Sequence, residues 1–522
     1  MRAGPLPSAH TGAPWGRRYS NEPAGRPKGS YRRAQHEGTP VNPTDLTDLD
    51  AHALCAAIHA REISCRELMQ ACLARVHALN PQANAIVNLA PDDELLRQAD
   101  ERDAMLARGH SMGWLHGIPQ AIKDASHTLG FPTTFGTPLW KTLRPAADGL
   151  MAARMKAAGC IVIGKTNMPE LGLGSHTYNR LFGPTPNPWD PAVTVGGSSG
   201  GAAAALALRL LPVADGSDFM GSLRNPAGWT NTIGLRPSQG RVPRVPSPEL
   251  FVAQLATEGP MGRTVRDVAR LLQTQAGFDP RAPLSIHDPG AHFVPPADAS
   301  ARGLRIGWLA DLGGRLAMDD GVLAVCEQAL RAFEQAGARV EPLAPGFDPE
   351  AVWQAWLLWR RALTGPNVVA ALAMPGATRE QIGPQALWEL DQSASLGNVD
   401  FMQAAAVRSA FYLQMLALFE QVDLLALPTA QVWPFPVETP WPHEIAGRRM
   451  DTYHRWMEVT IHATFAGLPA ISLPAGFHAN GRWPMGLQLI GRPQGDAALL
   501  HAAQAYENAV PALMSRRPPP LA

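Results

Sequence analysis

Two serines, Ser198 and Ser222, stand in separate glycine-rich turns within the stretch from Val195 to Val242. Glycine accepts positive φ and lets backbone N–H groups converge on a small space. A serine set in such a turn is a candidate nucleophile beside ready-made donors for an oxyanion. A flexible Gly-Ser linker would lack the apolar helix, Ala202 to Leu211, and the strand-like Thr232-Ile233-Gly234-Leu235 that bracket these turns. Upstream, Lys123 ends the apolar segment containing Ile118, Ala121 and Ile122. Most lysines are solvated surface cations. One that loses hydration beside apolar backbone has a lowered pKa, and supplies the neutral amine that a general base needs.

The elements that must hold these residues alternate between strand and helix. Ser64-Cys65-Arg66-Glu67 is a capping box. Leu68, Cys72, Val76 and Leu79 follow on one helical face, and the helix is expected to end at Asn80-Pro81. Later, Leu304–Trp308 reads as strand, Gly321–Ala336 as helix, and Asp423–Thr429 as a buried strand ending in a proline turn. Ala466–Gly476 and Pro484–Gly491 are two further core strands before a closing helix, Asp496–Asn508. The rhythm predicts an α/β fold with a large sheet covered by helices. The aromatic run Trp353–Trp359 is either a buried helix face or an apolar wall for a bulky substrate.

With 522 residues, 46% of them hydrophobic, the chain can bury a large core. Lysine plus arginine and aspartate plus glutamate both number 45, so no global charge steers it toward nucleic acid or an acidic membrane. The five cysteines are odd in number, lack CxxC spacing and fit a reducing compartment. No apolar run reaches the length of a membrane span, and the early chain lacks the core of a secretory signal. A cytoplasmic protein is expected. Residues 1–43, rich in Pro, Gly, Arg and Ser, read as a disordered basic arm, with a transit peptide as the competing view. The ordered domain is expected over 44–522.

Several motifs compete for the chemistry. Gly159–Thr166 fits the Walker A expression, but its intervening Cys160–Ile163 is itself a strand, and Pro169 stands where the helix of a phosphate loop should run. Lys165 is therefore read as structural. Gly196–Gly200 fits the G-x-S-x-G elbow of α/β-hydrolases, with Ser198 as nucleophile. The preceding segment is proline-broken rather than a strong strand. No HExxH or other metal-ligand cluster is present and no S-x-x-K motif occurs, which disfavours zinc hydrolases and penicillin-recognising enzymes. Neither a metal nor a cofactor is expected.

Taken together, GIPQAIKD, GKTNMPELGLG, NPWD, GGSSGG, GSDFMGSLRNPA, GLRPSQGRV, GPMGRTVRD and DLLALPT resemble the amidase signature family, in the family's order, from about residue 44 to 510. The resemblance implies a twisted mixed central β-sheet with helices on both faces, and hydrolysis of a non-peptide amide bond by a Ser–Ser–Lys triad. Ser222 would then be the nucleophile, Ser198 the bridging serine after a cis Gly197–Ser198 bond, and Lys123 the terminal base. Ser199 would support the relay, and Asp218 with Arg224 would brace the turn as an ion pair or through hydrogen bonds. The oxyanion hole would be the N–H groups of Phe219, Met220, Gly221 and Ser222. Met220 departs from the commonest pattern, which has glycine there, and the hole survives provided that residue 220 does not need positive φ. Met168, Trp229, Trp353 and Trp356 are the expected pocket residues for an apolar aryl or alkyl amide, or an ester or carbamate of similar shape. The alternatives are a glutamine-hydrolysing amidotransferase component working in a tRNA-dependent complex, and an α/β-hydrolase-type esterase. A small-molecule substrate and a monomer or homodimer are expected.

Overall fold

The strands run in chain order as β1 (Ile86–Val87), β2 (Pro119–Lys123), β3 (Ile161–Thr166), β4 (Pro186–Asn187), β5 (Asp190–Thr194), β6 (Val213–Asp218), β7 (Ile233–Arg236), β8 (Thr257–Gly262), β9 (Arg305–Trp308), β10 (Arg339–Pro342), β11 (Leu424–Pro428), β12 (Glu444–Ile445), β13 (Arg448–Arg449), β14 (Ala470–Phe477) and β15 (Pro484–Ile490). In this computed structural model eight of them form one mixed sheet in the order β10-β9-β11-β15-β14-β7-β8-β6. The pairs β10–β9 and β9–β11 are parallel, and the remaining pairs antiparallel. A three-stranded sheet, β1-β3-β2, carries Lys123 at the end of β2. The structure describes residues 46–288, 290 and 292–521, so the expected arm over 1–43 lies outside the described residues.

Local sequence explains these elements. Strands β11 and β15 are buried along their whole length, and so read as apolar runs rather than alternating ones, broken only by Gln488, whose amide donates to Pro428 O and Val459 O. The helix Gly200–Ala207 is also buried on every side, which suits its all-apolar GGAAAALA composition. Both halves of the Ser64–Glu67 capping box form. That helix continues through Pro81 to Ala83 rather than stopping at Asn80, and Asn84 closes it in the left-handed region. Proline is tolerated so near the end because Asn80 organises the exit: its Oδ1 accepts from the N–H of Ala85 at 3.0 Å and of Ile86 at 2.8 Å.

Two apolar cores meet at the serine-bearing stretch. One gathers the early helices, β1–β3 and the Ala202–Leu211 stretch, and includes Leu223 and Ala227. The other holds β7, β9, β11, β14 and β15 with the later helices, and includes Met220 and Trp229. The second glycine-rich turn therefore lies on the seam between them.

Candidate active site

Each turn pivots on one left-handed glycine. Gly196 has φ +83°, and a Cβ there would lie 2.5 Å from Asn225 Oδ1. Gly221 has φ +82°, and a Cβ would lie 2.7 Å from Thr460 Cγ2. Met220 is not among the residues with positive φ, so a side chain fits at that position. The Gly197–Ser198 peptide bond is cis.

Lys123 is fully buried, and its Nζ lies 2.8 Å from Ser198 Oγ, 2.8 Å from Ser199 Oγ and 3.0 Å from Ser217 Oγ. A neutral amine offers two donors and one lone pair, so three hydroxyl neighbours saturate it. Burial pulls its pKa down, and the carboxylates of Asp215, Asp218 and Glu258 only partly restore it, leaving it at about 7. At neutral pH a large fraction of the amine is therefore free to take a proton. Asp215 on β6 accepts the Lys123 backbone N–H at 3.1 Å. Burial raises the pKa of that carboxyl to about 7.

Ser222 is brought to the same cluster through the backbone, where the Ser199 N–H donates to Ser222 O at 3.2 Å. Its hydroxyl has no hydrogen-bond partner among the described residues, although Ser222 is only 7% exposed. Asp218 and Arg224 form the expected brace in bidentate geometry, with both contacts at 2.9 Å and both side chains buried. Burial alone would raise the Asp218 pKa; the Arg224 and Arg236 guanidinium groups outweigh it and hold the carboxyl at about 2. The same carboxylate accepts the N–H of Gly221 at 3.0 Å and of Leu223 at 3.3 Å. Of the four expected oxyanion donors, Gly221 is thus already committed to Asp218. The N–H groups of Phe219, Met220 and Ser222 have no such acceptor among the described residues.

Asp218→Asn would leave Arg224 as a buried, half-paired cation and remove an acceptor from the turn. It is expected to destabilise the protein by about 3–5 kcal/mol, measured by urea denaturation near neutral pH. Because the carboxyl has a depressed pKa, the stability it contributes is present above its unfolded pKa, and is lost as pH falls toward about 2.

The expected pocket residues separate. Met168 lies beside Ser198: a Cβ placed on Gly172 would be 3.6 Å from Met168 Cε and 3.8 Å from Ser198 Oγ. Trp356 packs on Phe219, with ring centroids 5.2 Å apart. Trp229, Trp353 and Trp356 are all fully buried and do not line open space. Trp229 backs the Gly196 turn and stacks on Trp456 at 5.6 Å, while Trp353 lies against His454 and under Arg455. Lys165 is buried on β3, donating to Ser126 O at 2.5 Å and Thr128 Oγ1 at 2.9 Å, in a structural role. Residues 161–166 are all strand, which leaves no phosphate loop there. A cavity of about 560 Å³ opens elsewhere, lined by Leu129, Arg144, Lys156 and Cys160 among others, and holds none of the serine cluster.

Ser217 and Asp215 are site residues that the motifs alone do not single out. Their signal lies in the period-2 pattern of β6, which sets both on one face two residues apart. Only the neighbouring strand β2 reveals that this face meets Lys123.

The chain belongs to the amidase family, whose model matches residues 67–500. It is an amidase, a hydrolase of carbon–nitrogen bonds. An acylamidase from Rhodococcus erythropolis is 34% identical over 469 residues, covering 88% of this chain and 95% of the relative. The A-type component of a glutamyl-tRNA(Gln) amidotransferase from Chloroflexus aurantiacus is 34% identical over 498 residues, covering 89% of this chain and 97% of the relative. Among solved structures, a bacterial aryl acylamidase of the amidase signature enzymes superposes with a TM-score of 0.83 at 30% identity, over 90% of this chain and 99% of that one. No described helix is long and apolar enough to cross a membrane, and the five cysteines are free and buried.

Proposed function

We propose that the protein hydrolyses an apolar aryl or alkyl amide, with related esters or carbamates as secondary substrates, through a Ser222 acyl-enzyme. The observation that carries this reading is the 2.8 Å approach of the buried Lys123 amine, whose pKa burial lowers to about 7, to Ser198 Oγ. Ser222 Oγ attacks the carbonyl carbon and its proton passes to Ser198, whose own proton goes to Lys123. The carbonyl electron pair moves onto oxygen, within reach of the Phe219, Met220 and Ser222 N–H groups. When the tetrahedral intermediate collapses, the C–N bond breaks, and the proton stored on Lys123 returns through Ser198 to the leaving amine. Water then enters by the same relay and releases the acid. Phe219, half-buried and backed by Trp356, supplies apolar surface suited to such a substrate.

The esterase reading with Ser198 as nucleophile is disfavoured by two observations. The strand before the turn, β5, belongs to a small hairpin with β4 rather than to the main sheet. The late histidines His454 and His462 are buried and bond to Thr452 and Val459 O, not to either serine. Fluorophosphonate trapping followed by mass mapping is expected to label Ser222, whereas a label on Ser198 would overturn the assignment. Likeness to the amidotransferase component keeps a second reading, in which glutamine is the substrate. Turnover of an anilide by the isolated chain, as a monomer or homodimer, favours the first reading. Activity on glutamine only with added partner proteins would favour the second.

A further inference from the structure

Met220 lies one residue before the left-handed pivot Gly221, and its side chain has a specific neighbour. Met220 is 3% exposed, and its Sδ lies 3.8 Å from Nη1 of Arg360. Arg360 comes from the middle of the helix Pro349–Leu372. Its guanidinium carbon also stands 5.6 Å from the centre of the Phe219 ring. So deeply buried a cation needs its charge matched. Glu389, fully buried on the helix Pro384–Ser393, accepts Arg360 Nε at 2.6 Å. The Tyr453 hydroxyl accepts Arg360 Nη2 at 2.7 Å and donates to the same Glu389 oxygen at 2.6 Å. Thr364 Oγ1 donates to the other oxygen at 2.9 Å.

This cluster ties two helices and the Tyr453 segment into one unit, which abuts the side chains of Met220 and Phe219. A buried ion pair adds little net stability over apolar packing of equal volume. Its consequence here lies in geometry. A glycine at position 220 would leave the segment free to bend, whereas Met220 can be held by whatever its side chain touches.

We infer that Arg360 is a positioning residue, clamped by Glu389 and Tyr453, that acts through Met220 and Phe219 to keep their N–H groups aimed at the developing oxyanion. This rests on the acyl-enzyme reading above. Arg360 touches no reacting atom, and its charge is consumed inside the cluster, so it leaves the apolar character of the site intact.

The test is a double-mutant cycle on an anilide substrate. Arg360→Gln is expected to lower kcat about 100-fold with KM changed by less than about threefold, because a misaimed donor loses only transition-state stabilisation. In a Met220→Gly background the same substitution is expected to cost about tenfold less, since its lever is gone. Tyr453→Phe, which keeps the ring and removes one clamp, is expected to lower kcat in the same direction, and decides the matter if Arg360→Gln does not fold. An unchanged kcat, a rise in KM alone, or equal losses in both backgrounds would overturn the inference. Fluorophosphonate mapping of the unsubstituted chain separates the two levels. A label on Ser222 with an additive cycle removes only the role of Arg360, and no label on Ser222 removes the acyl-enzyme reading itself.

Discussion

Ser222→Ala is expected to lose about 10⁶-fold in kcat on an aryl amide, the scale of loss when a nucleophile that works as part of a unit is removed. The fold should be unaffected. The Ser222 hydroxyl has no hydrogen-bond partner among the described residues, so its deletion strands no buried donor or acceptor. The backbone contact from Ser199 N–H to Ser222 O does not depend on the side chain. Thermal unfolding near the native midpoint, together with anilide turnover at the background rate, would meet the expectation. Retained turnover would end the assignment.

Lys123→Met is the second substitution with a large expected effect, about 10⁴-fold in kcat, because it removes the proton acceptor while filling much of the same volume. The pH dependence carries the sharper information. Wild-type kcat/KM should rise with pH as Lys123 loses its proton and level off above about 7, and the residual rate of the variant should lack that rise. The stability consequence has a definite sign. Folding lowers this pKa from its ordinary 10.5, so between about pH 7 and 10.5 the unfolded chain binds the extra proton. Wild-type stability therefore increases across that window, and the variant should lose that part of the slope. Denaturation midpoints at three pH values would check this. A wild-type activity profile flat from pH 6 to 9 would show that Lys123 does not titrate in catalysis.

Much of the architecture was legible before any coordinate. The Ser64 capping box, the strand carrying Lys123, the late core strands and the Asp218–Arg224 brace each depend on residues at most a few positions apart. Their local chemistry leaves few alternatives. The helix end at Pro81 misled: proline there costs one helical hydrogen bond, yet the helix runs on to Ala83, and Asn80 Oδ1 gathers the Ala85 and Ile86 N–H groups at its exit. Trp229 misled for a different reason. An aromatic residue beside a reactive turn can face substrate or support the turn from behind, and the choice is made by Trp456, a ring 227 positions further along the chain (456 − 229 = 227).

Residue order alone was enough to place the strands, helix caps and glycine turns that present the candidate side chains, since glycine φ, helix caps and strand periodicity act over short distances. Folding had to supply the rest. That the Lys123 pKa falls follows from its burial, which outweighs the opposing pull of carboxylates on other strands. That residue 220 accommodates a methionine follows from a backbone pivot placed one residue later, at Gly221, and the methionine sulfur packs beside Arg360. Desolvation and charge pairing are properties of a neighbourhood, and this neighbourhood is assembled from segments hundreds of residues apart.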